Sequence, residues 1–70
     1  MEPYQQRVVD EKEDLHAKCA RLAAFIEYGQ AFPTLAAEEQ VRLRRQLVVM
    51  REYAGILIER IAAFQAGATV

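Results

Sequence analysis

Seventy residues, 53% hydrophobic and 27% charged, have the composition of one small globular domain and not of a disordered chain. Nine Lys and Arg against ten Asp and Glu leave a net charge of −1, so no overall basic field draws the chain onto nucleic acid or an anionic membrane. One cysteine, Cys19, and one histidine, His16, exclude an intramolecular disulfide and a His/Cys metal cluster built from a single chain.

A domain this small buries little of its surface, so packing and oligomerisation must complete its core. The lone thiol suits a reducing compartment. No uncharged run approaches the ~20 residues that span a bilayer. The start, Met1-Glu2-Pro3-Tyr4, lacks the basic-then-apolar layout of a signal peptide. The expectation is a soluble, cytoplasmic protein with no membrane partner.

The first predicted element is a helix over residues 4–28. Pro3 suits its first turn, where a missing N–H costs nothing, and Gly29 is expected to stop it as a left-handed cap. Its apolar stripe is narrow: Tyr4, Val8, Leu15, Cys19, Leu22 and Ile26, with Phe25 to one side. Such a stripe serves one seam against one partner helix. The other faces of this helix are polar or alanine and include the acidic-rich run Asp10-Glu11-Lys12-Glu13-Asp14.

Residues 29–34 form the predicted turn, with Phe32 plugging the end of the hairpin. Thr34 is expected to cap the next helix, and Glu38 and Glu39 lie near its positive N-terminal end. That helix is predicted over residues 35–65, with a short tail from Gly67. A connection this short makes the helices antiparallel neighbours. The whole chain, residues 1–70, is therefore one all-α domain, an antiparallel two-helix hairpin.

The second helix carries more apolar surface than the first can cover. Leu43, Leu47, Met50, Ala54, Leu57, Ile61 and Phe64 follow alternating steps of four and three, a coiled-coil-like seam. Val49, Tyr53 and Ile56 widen the arc on one flank and Ile58 widens it on the other. A contiguous exposed patch of that kind marks an interface. The expectation is a homo-oligomer, a two-fold dimer first, in which second helices pair to make a four-helix bundle. Gly55 either permits a close approach beside Ala54 or sits on the solvent side.

Arg42, Gln46 and Arg60 project on the flank of Val49 and Tyr53, while Glu11 and Lys18 border the first stripe. One reading pairs Glu11 with Arg60 or with the Tyr53 hydroxyl to fix register. Another has Arg42, Gln46, Tyr53 and Arg60 line a groove for an anionic or polar ligand, and a third lets the arginines snorkel. Arg44 and Arg51 share a face, but Arg42 and Arg45 do not join them, so nucleic acid is an unfavoured partner. Nothing in the sequence carries catalysis. His16 and Cys19 are three residues apart, Cys19 belongs to the core stripe, and there is neither a phosphate loop nor metal-ligand spacing. No catalytic, metal or cofactor residue is assigned.

The pattern Tyr4-x-x-Arg7-Val8-x-x-Glu11-x-x-x-Leu15-x-x-Lys18-x-x-x-Leu22-x-x-Phe25-Ile26 resembles a family of small phage- and prophage-encoded helical proteins. So does the second half, with Phe32 and Leu35 at the turn, then Gln46-x-x-x-Met50-x-x-Tyr53-x-x-x-Leu57-x-x-Arg60-Ile61. Cys19 and the wholly apolar Val48-Val49-Met50 depart from that pattern. The resemblance spans residues 4–64 and implies a phage accessory product, of a kind that binds a host protein to inhibit or redirect it, defence factors included. Beside that leading expectation stand two others: an oligomeric sponge for an anionic nucleotide signal, and a small DNA-binding dimer using Arg44 and Arg51.

Overall fold

Pro3 opens the first helix, α1, which runs Pro3–Tyr28. A 3₁₀ turn, Phe32–Thr34, leads to the second, α2, over Ala37–Gln65. The computed structural model describes residues 1–67. The chain is all-helical, as expected, and forms a rod of 48 × 15 × 14 Å, one helix pair thick.

At the start of α1 the Glu2 backbone N–H donates to Gln5 Oε1 at 2.8 Å. This satisfies a donor that the helix itself leaves free. The seam then follows the predicted stripes. Val8, Leu15 and Cys19 from α1 meet Leu47 and Leu57 from α2, with Leu22, Ile26, Met50, Ala54, Ile61 and Phe64 packed around them. Among the described residues Leu57 is the one large side chain shielded completely. Tyr4 remains half exposed yet meets Phe64 edge to face, ring centroids 6.4 Å apart, which fastens the open end of the hairpin.

The turn is built differently from the sequence expectation in two places. Gly29 is not a left-handed cap; its φ of −66° and ψ of 126° are extended backbone. Glycine is needed there for space, because a Cβ would collide with the Phe25 carbonyl oxygen and lie 2.8 Å from a Phe25 ring carbon. The left-handed glycine is Gly67, φ 76°, whose N–H donates to the Phe64 carbonyl at 3.2 Å where α2 ends.

Thr34 does not cap α2 either. Its hydroxyl donates to the Ala31 carbonyl at 2.6 Å and so closes the 3₁₀ turn, while the cap position of α2 is Ala36, without a side-chain bond. A short polar side chain satisfies whichever backbone group it meets first. Gln40, one turn into α2, then ties the connection down by donating to the Leu35 carbonyl at 3.0 Å. Glu38 and Glu39 occupy the first turn as expected.

The expected plug is present. Phe32 is 3% exposed and meets Phe25 edge to face at 5.9 Å. The Arg44 guanidinium lies over the Phe32 ring, 5.1 Å from its centroid. No described helix is long and apolar enough to cross a membrane.

Candidate binding surface

The seam uses one stripe of each helix, and α2 has apolar residues left over. Val49 is 61% exposed, Ile56 55% and Tyr53 42% on one flank; Ile58 is 56% exposed on the other. Arg42, Val49 and Ile56 are spaced by seven residues, two helical turns, so they line up along one edge of the hairpin. Val41 and Val48 lie further round and are also exposed. The surplus read from the sequence is thus on the surface of the single chain.

Two depressions open beside that flank. The larger, of about 550 Å³, lies mainly on α1. Arg7, Asp10, Glu11, Asp14 and Lys18 supply its polar wall, with Leu15 at its base and Tyr53 contributed by α2. Residues 7, 10, 11, 14 and 18 recur at helical spacing, so α1 presents them on a common face next to the seam. The smaller depression, of about 300 Å³, is formed by Arg42, Arg45, Gln46, Val49 and Met50. One is rich in carboxylates and the other is basic.

The site residues expected from the sequence are therefore divided. Arg42 and Gln46 share the basic depression, while Glu11 and Tyr53 share the acidic one. Ile56 is exposed along the same edge, and Arg60 lines neither depression. Five polar lining residues were not assigned to a site from the sequence: Arg7, Asp10, Asp14, Lys18 and Arg45. Their signal was present for α1, since a stripe of charges at i, i+3 and i+7 borders the apolar stripe. It reads equally well as an ordinary solvated face.

The register pair is not formed. Among the described residues the salt bridge is Arg42 Nε to Glu39 Oε1, 2.8 Å, between exposed side chains one turn apart. Glu11, Tyr53 and Arg60 make no side-chain hydrogen bond there. All three are exposed, so little desolvation drives the pairing and side-chain entropy opposes it. Their polar groups stay available.

A third depression, about 300 Å³, sits on the opposite side, where His16, Cys19, Ala20 and Ala23 face Arg51, Ala54, Gly55 and Ile58. Nothing lies within 4 Å of a Cβ built on Gly55; within one chain this glycine makes no close approach. Arg51 lies in this depression while Arg44 stacks on Phe32, so the two basic residues of that face serve different surroundings. No group of three or more His, Cys, Asp or Glu among the described residues is placed to hold a metal ion.

The chain is 40% identical over 62 residues to the uncharacterized 7.5 kDa protein of the denB–rIIB intergenic region of Enterobacteria phage T4. That match covers 89% of this chain and 95% of the phage protein. The resemblance to small phage-encoded helical proteins is borne out. No solved structure matches the chain significantly. A family model described as Sequestin matches residues 2–63, nearly the whole hairpin, and the chain belongs to the Sequestin family.

Proposed function

We propose that the protein works by sequestration and not by catalysis. Copies associate along the Arg42–Val49–Ile56 edge and hold a small anionic ligand of the nucleotide class, withdrawing it from the cytoplasm of an infected bacterium. The observation that carries this reading is the gathering of Arg42, Arg45 and Gln46 in one depression beside exposed Val49. A guanidinium offers several N–H donors in a fixed fork that matches phosphate oxygens. Tyr53, a few residues along the same flank, supplies an aromatic face of the kind on which a base stacks for about 1–3 kcal/mol. The family description is in keeping with a protein that withholds something from solution.

Self-association follows from the energetics of the leftover surface. Covering Val49 and Ile56 contributes roughly 1.5–3 kcal/mol each, which is large beside the stability of so small a domain. Two hairpins joined edge to edge give a four-helix bundle, and a two-fold dimer is its simplest form.

The test is thermal denaturation of the purified protein with a panel of mononucleotides, cyclic mononucleotides and cyclic dinucleotides. At a hundredfold excess over Kd, a true ligand stabilises the folded state by about 2.7 kcal/mol, which is readily seen as a raised Tm. An oligomer whose Tm moves with none of them is not a nucleotide sponge.

A second reading, capture and inhibition of a host protein, draws on one specific observation. Val41, Val48 and Ile58 are exposed beyond the edge used by a single dimer seam. A stoichiometric bacterial protein recovered on the immobilised chain, and lost in a variant carrying Ile58→Asp, would favour it over the nucleotide reading.

A further inference from the structure

We draw no further inference here: the strongest candidate, the depression on the opposite side of the hairpin where His16, Cys19 and Ala20 of α1 face Arg51, Gly55 and Ile58 of α2, is a small-residue face around a lone cysteine, and nothing in the structure shows what covers it.

Discussion

Phe25 and Phe32 meet edge to face across the hairpin end, their ring planes at 85° and centroids 5.9 Å apart. This contact, roofed by Arg44 at 5.1 Å, fixes where α1 stops and α2 returns. Phe32→Ala is expected to lower stability by about 3–5 kcal/mol, the range for removing a buried Phe. Arg44→Ala removes only the cation–π contact and should cost about 0.5–1 kcal/mol. Urea denaturation of both variants at one protein concentration checks the ranking.

The glycines at 29 and 55 should respond with opposite signs. Gly29→Ala forces a Cβ into the Phe25 carbonyl and ring and is expected to destabilise by roughly 1–3 kcal/mol, as overpacking does. Gly55→Ala meets nothing within 4 Å and removes a flexible residue from the interior of α2, so it should stabilise by about 1 kcal/mol. Thermal melting of the two variants decides it. A fall in Tm for Gly55→Ala would mean that a second copy packs on that side and would move the seam away from Val49.

Folding and assembly should separate at Leu57 and Val49. Leu57→Ala empties a fully shielded position and is expected to cost about 2–5 kcal/mol, visible as lost helicity on mild heating. Val49→Asp leaves the hairpin seam intact but places a charge on the exposed edge where copies are proposed to meet. Sedimentation velocity should show folded monomer where the wild type sediments as an oligomer. An unchanged oligomer would exclude the Val49 edge as its interface.

Most of the fold was legible in the sequence because periodicity reports burial directly. The step pattern from Leu43 to Phe64 and the narrower stripe from Tyr4 to Ile26 locate the seam, and Gly29 and Pro33 bracket the connection. The errors were local. Gly29 is demanded by space and not by a positive φ, and sequence alone does not distinguish these two needs of glycine. Thr34 lies two residues before the cap position of α2, Ala36, and its hydroxyl donates to the Ala31 carbonyl instead. The candidate surface was legible only in part. Arg42, Gln46, Val49, Tyr53 and Ile56 follow from the face of α2, but whether a charge on α1 lines a trough or simply faces water depends on the packing of both helices. Arg7, Asp10, Asp14 and Lys18 were therefore missed, and of the three readings weighed for Glu11, Tyr53 and Arg60, the register pair is the one the structure does not form.

The measurement that bears most directly on the central claim is native mass spectrometry of the purified chain after incubation with a mixture of nucleotides, since it reads assembly and cargo together. The account predicts a species of two chains, or a multiple of two, carrying added nucleotide mass that is released on denaturation. A single chain without nucleotide, at the micromolar concentrations where the Val49 edge should be covered, would contradict it.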